Sequence, residues 1–314
     1  ANKRRLAKFI FDKCGWRVDE ASIFDIHVKR IHAYKRQSMN ALHIMDLYNR
    51  LRADPGLDVP PRTFIFGGKA AAGYYKAKKT IKLITTLAQV INTDRTIRDK
   101  LKVIFLQNYN VSLAELIIPA ADVSEQIPTA GFEASGTANM KFMMNGAVTL
   151  GTLDGANIEM KNLVGADNII TFGATVDQLR ECRSHGYNPW DIYHSDRRVA
   201  TVMEQLVNGY LPVGPDEFRS HYDAFLHHGD YYFVLYDFAA YAAAQQSIGE
   251  AYGDRRRWLA MCGNNIANSG YFSSDRTFAE YARQIWRNDG HEADPAYTRQ
   301  SDEAWNQMDI SLLL

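Results

Sequence analysis

Only three of the 314 residues are cysteines, Cys14, Cys182 and Cys262. They stand far apart and are odd in number, which fits neither a disulfide framework nor the ligand spacing of a zinc site, so no metal is expected. A reducing, cytoplasmic compartment is the expectation. No run approaches the roughly 18 apolar residues of a membrane span, and the opening ANKRRLAKF has no signal-peptide layout, so the chain reads as soluble. An excess of one charge is missing too: Lys plus Arg and Asp plus Glu are both 36. No general field therefore favours nucleic acid or an anionic membrane, and any anion site must be built locally. There is no internal repeat and no low-complexity block.

What is there is an alternation. A chain of this length buries one large core or two modest ones, and its apolar β-rich runs alternate with longer helical patterns: Ile23 to Ile31, Gln37 to Arg52, Thr63 to Phe66, Gly73 to Asn92, Lys102 to Leu106. That order predicts βαβ units and a parallel sheet, an α/β fold. In the second helical run Ala77, Ile81, Ile84, Ala88 and Ile91 make an apolar stripe, with Lys78, Lys82, Thr86 and Gln89 off it. Asp154-Gly155 signals a tight turn between β-prone segments, and ADNIITFG reads as a further short strand. From Asn208 to Trp286 the pattern is helical and aromatic, with Ser273-Ser274-Asp275 offering an N-cap. One domain over residues 1–286 is expected, then a polar tail over 287–314.

One stretch carries chemistry in its spacing. FEASGTANMKFMMNGA, Phe132 to Ala147, runs from small flexible residues into a helical pattern. Backbone N–H groups at such a helix start can approach an anion, and Lys141 lies about one turn inside. A lysine there could form an imine with a phosphorylated aldehyde such as pyridoxal 5'-phosphate. On local physics alone a solvated helix lysine is the stronger reading. The same holds for KRIHAYKR, which taken alone is a solvated basic face. Glu133 alone is a helix N-terminal acid and Tyr34 a core tyrosine.

EASGTANMKFMMNGA closely resembles the cofactor-lysine motif of the α-glucan (glycogen, starch, maltodextrin) phosphorylases. VKRIHAYKRQ, FGGKAAAGYYKAK, QNYNVSLAELIIPAADVSEQ and FSSDRT are similar to further blocks of that family in the same order, over nearly all of Ala1 to Trp286. The resemblance implies a Rossmann-like parallel sheet with helices on both faces, one half of a two-domain GT-B enzyme. It implies that Lys141 holds pyridoxal 5'-phosphate as an imine, and that the Thr137 and Ala138 amides, beside Gly136, receive the cofactor phosphate, with Tyr109 next to it. Lys29 and Lys35 match lysines of the phosphate cluster, and Arg30 matches the arginine that clamps the substrate phosphate. Glu133 and Tyr34 match sugar-hydroxyl contacts, assisted by the Ser135 and Gly136 backbone.

The implied reaction releases α-glucose 1-phosphate from an α-1,4-glucan with inorganic phosphate. The cofactor's phosphate works as the proton partner, so the paired carboxylates of most glycosidases are not required. The family is much longer than this chain and closes its cleft with an N-terminal domain, which is the expected partner. Alone, this chain is expected to be inactive, a cofactor-binding module; a homodimer stays open. The chain has Ala33, Ala72, Pro128 and Ala138 where the family usually has Glu, Pro, Ser and Gly. Ala138 raises the question of strain if that position needs φ > 0. Lys76, Lys79, Thr80 and Ala33 are expected on the face a partner domain would cover. An aminotransferase-like enzyme is disfavoured by the lysine context, and a sugar-nucleotide glycosyltransferase on a similar fold would need no aldehyde cofactor.

Overall fold

A computed structural model of the protein describes residues 1–287. The chain divides into two compact units, Ala1–Ser269 and Gly270–Leu314. From residue 288 on, the expected polar tail lies outside the described residues.

The first unit opens with α1 (Asn2–Cys14) and then alternates: β1 (Ile23–Val28), α2 (Gln37–Ala53), β2 (Arg62–Gly67), α3 (Tyr75–Thr93), β3 (Leu101–Leu106) and α4 (Val111–Ile117). It continues with β4 (Val123–Gln126), α5 (Ala138–Met144), β5 (Val148–Gly151), α6 (Ala156–Val164) and β6 (Ile170–Thr171). The helices α7 (Val176–Ser184), α8 (Pro189–Ser195), α9 (Arg197–Gln205), α10 (Arg219–Leu226), α11 (Phe238–Gly253) and α12 (Arg255–Asn268) complete it. The six strands are all parallel, in the order β3-β2-β1-β4-β5-β6. That is the doubly wound Rossmann order, whose switch point lies between the first and fourth strands. The expected α/β class and Rossmann-like sheet are what is found.

Side-chain alternation explains the two layers. On β1, Ile23 points into a core shared with α2, α3 and α11, while Phe24, Ile26 and Val28 point into one shared with α1, α4 and α5. Strands β1, β2, β4 and β5 are buried on both faces, as parallel strands covered by helices are. Helix ends carry local signals: Gly15, at φ 74°, closes α1, and the Asn110 side chain accepts the Leu113 amide at 3.0 Å to open α4. In the second unit α13 (Ser274–Gln284) starts where the sequence indicates, the Ser273 hydroxyl accepting the Arg276 amide at 3.3 Å.

Three expectations need correction. The run from Ile23 stays a strand only to Val28, because beyond it the chain leaves the sheet for a short 3-10 turn, Ala33–Lys35. Asp154-Gly155 does not turn between two strands; it joins β5 to α6, and the helix following it makes the next strand parallel. Thr86, assigned to the solvated side of α3, is buried, since Leu83, Leu87 and Thr86 widen the buried face. No helix among the described residues is long and apolar enough to cross a membrane.

Candidate active site

The loops leaving the C-terminal ends of β1 and β4 diverge at the switch point, and a cavity of about 970 Å³ opens there. Three things aim the chain into it. Gly68 lets the β2 loop pass so near β1 that a Cβ on it would sit 1.9 Å from the Lys29 carbonyl oxygen. Buried Arg36, at φ 57°, anchors the chain just after Lys35 by donating to the Ile127 carbonyl at 2.9 Å, the Pro128 carbonyl at 3.1 Å and Asp237 at 2.6 Å. The Asp154 carboxylate accepts the amides of Gly131, Phe132 and Glu133 at 2.9, 3.2 and 2.7 Å, which fixes the loop carrying Glu133.

Gly155 completes that anchor. Its φ of 51° with ψ −143° is accessible to glycine, and a Cβ there would lie 2.4 Å from the Ser135 carbonyl oxygen and 2.8 Å from that of Glu133. The Ala156 amide donates to the same Ser135 oxygen at 2.9 Å. Left-handed backbone at the start of α5 falls on Gly136, at φ 113°, and Ala138 is an ordinary first helical residue. The strain anticipated for Ala138 is therefore absent. Thr137 does not cap α5 with its side chain, and the first amides of a helix have no acceptor inside it.

The charges converge on one carboxylate. The Lys35 ammonium is ion-paired with Glu133, the Lys29 Nζ lies 4.0 Å from the same carboxylate and donates to Gln126 at 2.6 Å, and the Tyr34 hydroxyl lies 3.3 Å from both Glu133 oxygens. Lys35 also sits 4.6 Å from the centroid of the Tyr34 ring, and His32 packs on Tyr34 and Tyr74. Burial, reinforced by Lys35, pulls Lys29 down to about 8, with Glu133 opposing the shift. Burial, reinforced by Lys29 and Lys35, keeps His27 well below its ordinary range and neutral. Desolvation lifts the Tyr109 phenol.

Lys29, Arg30, Tyr34, Lys35, Tyr109, Glu133, Gly136, Thr137, Ala138 and Lys141 all line this cavity. Ser135 does not; it lies beside the cavity, and its carbonyl joins the loop to α6. Sequence reasoning missed Gln126, His32 and Asp154. Only Asp154 carried a signal, the Asp-Gly pair, and it reads as a hairpin turn. The surface expectation for the first turns of α3 fails at two positions. Thr80 is buried and bonded to His221 at 3.0 Å, and Lys79 is paired with Glu217 at 2.7 Å, so both serve this unit's own contacts with the segment around α10. Lys76 is exposed and Ala33 partly so.

This is a doubly wound α/β protein, and in that fold class ligands bind outside the carboxyl ends of the strands at the switch point, where the cation-rich cavity lies. Within that class the profile of the family "Carbohydrate phosphorylase" matches residues 1–288, and the chain belongs to that family. It is 54% identical over 285 residues to a glycogen phosphorylase of Bacillus subtilis (strain 168), covering 90% of this chain and 36% of that protein. It is 49% identical over 288 residues to a glycogen phosphorylase of Haemophilus influenzae, covering 91% of this chain and 35% of that protein. The brain form from Ovis aries is 48% identical over 286 residues, 91% of this chain and 34% of that protein. The chain thus spans about a third of the length of the curated relatives it matches.

Proposed function

We propose that this chain forms the cofactor- and phosphate-binding wall of a glucan phosphorylase site, releasing α-glucose 1-phosphate from an α-1,4-glucan with inorganic phosphate. The observation that carries the reading is the convergence of Lys29, Arg30, Lys35, Glu133 and Lys141 on one cavity at the sheet's switch point. The residues present fit pyridoxal 5'-phosphate: Lys141 is an exposed primary amine one turn into α5, below first-turn amides without an intrahelical acceptor. Lys141 would hold the cofactor covalently through Nζ, with the Thr137 and Ala138 amides, Gly136, Tyr109 and Lys29 around its phosphate. When bound, that group supplies a second phosphate able to exchange a proton with the substrate phosphate.

The chain's own residues do the rest. Two phosphates in one cavity repel, and Lys29, Lys35 and Arg30 offset that repulsion; Arg30, exposed at the rim, can grip an anion bidentately. Glu133 and Tyr34 accept sugar hydroxyls, helped by the Ser135 and Gly136 backbone, and orient the sugar for in-place capture by phosphate. The facing wall and further glucan contacts would come from an N-terminal domain, as the family resemblance implies. This chain alone is accordingly expected to hold the cofactor and turn over little. Borohydride reduction after adding pyridoxal 5'-phosphate, followed by peptide mapping, tests the assignment: the pyridoxyl group is expected on Lys141. Modification of another lysine, with Lys141 free, would refute it.

A further inference from the structure

Glu133 occupies the place where an anion would meet the two lysines. Its carboxylate is ion-paired with Lys35, 4.0 Å from the Lys29 Nζ, and 3.3 Å from the Tyr34 hydroxyl. Its backbone cannot follow a departing partner, because Asp154 holds the Glu133 amide at 2.7 Å and the loop from Glu133 to Ser135 leans on Gly155 without room for a Cβ. Lys29 is likewise fixed: its side chain is 9% exposed and its Nζ donates to Gln126 at 2.6 Å. Lys35, at 12% exposure nearly as buried, is the member that can change partners, since among the described residues its Nζ hydrogen-bonds Glu133 alone.

We infer that Glu133 is the resident counter-anion of Lys35, and that exchange of Lys35 from Glu133 to a bound phosphate couples the phosphate and sugar subsites. The inference rests on the function proposed above and adds to it a coupling between the two ligands. While Lys35 is held, Glu133 Oε2 is engaged by its ammonium, with the Lys29 Nζ 4.0 Å away, and is a weaker acceptor for a sugar hydroxyl. A phosphate that takes Lys35 frees it, so each ligand favours the other. Thermodynamic reciprocity requires that sugar raise phosphate affinity by the same factor. The arrangement also prevents two adjacent lysines from standing unneutralised in a site without ligand, which would be costly for the nearly buried one.

The test measures α-D-glucose binding by calorimetry, with and without inorganic phosphate, on the cofactor-loaded full chain and its variants. Phosphate is expected to tighten glucose binding to the unaltered chain by about tenfold, within the usual range of coupling factors. Lys35→Met is expected to bind glucose about as tightly without phosphate as the unaltered chain does with it, and to lose the response to phosphate. Lys35→Arg, which keeps the charge, should restore that response. Glucose binding to Lys35→Met no tighter than to the unaltered chain without phosphate would overturn the exchange, as would an unaltered chain insensitive to phosphate or glucose binding to none of them. Absorbance of the attached cofactor, read on the same samples, scores the proposed function separately: coupling absent with cofactor on Lys141 sinks the exchange alone.

Discussion

Two clusters in this molecule join carboxylates to cations, and burial gives them opposite characters. In the open one Glu133 faces Lys35 and Lys29 at the cavity wall, with Arg30 at the rim. In the sealed one, on the α2-facing side of the sheet, Asp25 of β1 lies 3.5 Å from Arg62 of β2, and Glu125 of β4 accepts from Tyr241 at 3.0 Å and Gln245 at 2.6 Å. Both Asp25 oxygens and one Glu125 oxygen are buried without a hydrogen-bond partner among the described residues. Burial raises both carboxyls above the ordinary range, Glu125 well above it, with Asp25 adding to the effect on Glu125. In the sealed cluster burial favours the neutral acid beside one arginine, whereas the open one keeps excess positive charge for a ligand. Charge is available for chemistry where solvent can reach it and is cancelled where it cannot.

Removing a cation should separate the two most strongly. Arg62→Met leaves Asp25 without its partner in the core and is expected to cost about 3–5 kcal/mol in urea unfolding. A loss below about 1 kcal/mol would mean that Asp25 is as tolerant as a surface acid, and the contrast would collapse. Next in size is Gly155→Ala, which places a Cβ against the Ser135 and Glu133 carbonyl oxygens at a positive φ. About 2–3 kcal/mol of destabilisation is expected, together with weaker pyridoxal 5'-phosphate binding, since the Glu133 loop must shift. Unchanged spectral titration with the cofactor would show that the loop's placement does not matter.

Glu125→Gln sharpens the comparison through pH. A carboxyl whose folded pKa is raised contributes stability fully present below its unfolded value and lost as pH rises through its folded value. The unfolded value of Glu125 is near 4.5, and burial raises it in the fold, so the parent chain should lose stability steadily above that pH. The Gln variant mimics the protonated acid and should flatten the decline that sets in above the unfolded value, seen as a smaller shift of urea midpoint. An identical slope would mean that burial does not raise the Glu125 carboxyl. The smallest effect belongs to the open site. Lys141→Ala removes an exposed side chain and should change stability by less than about 0.5 kcal/mol, yet abolish covalent cofactor uptake measured by absorbance after borohydride reduction.

The sheet is legible in the order of residues alone, because apolar runs of strand length alternate with 3.6-period stripes, and that pattern has few packed solutions. The residues of the cavity are legible too, through the contiguous similarity around Lys141 and from Lys29 to Lys35, though their arrangement is not. Asp25, Arg62 and Glu125 give no such signal, since they sit singly in strands β1, β2 and β4. Nor does the role of Asp154, whose turn signal is the same before a helix as before a strand. These belong to the packed molecule. Parallel pairing brings separate strands side by side, and the switch point turns the β1 and β4 loops apart to open the cavity. Lys35 and Tyr34 meet Glu133 across 98 and 99 residues of chain, separations at which no local pattern carries information. The balance of burial then sets which charges cancel and which remain, a property of the surroundings of each group rather than of its place in the chain.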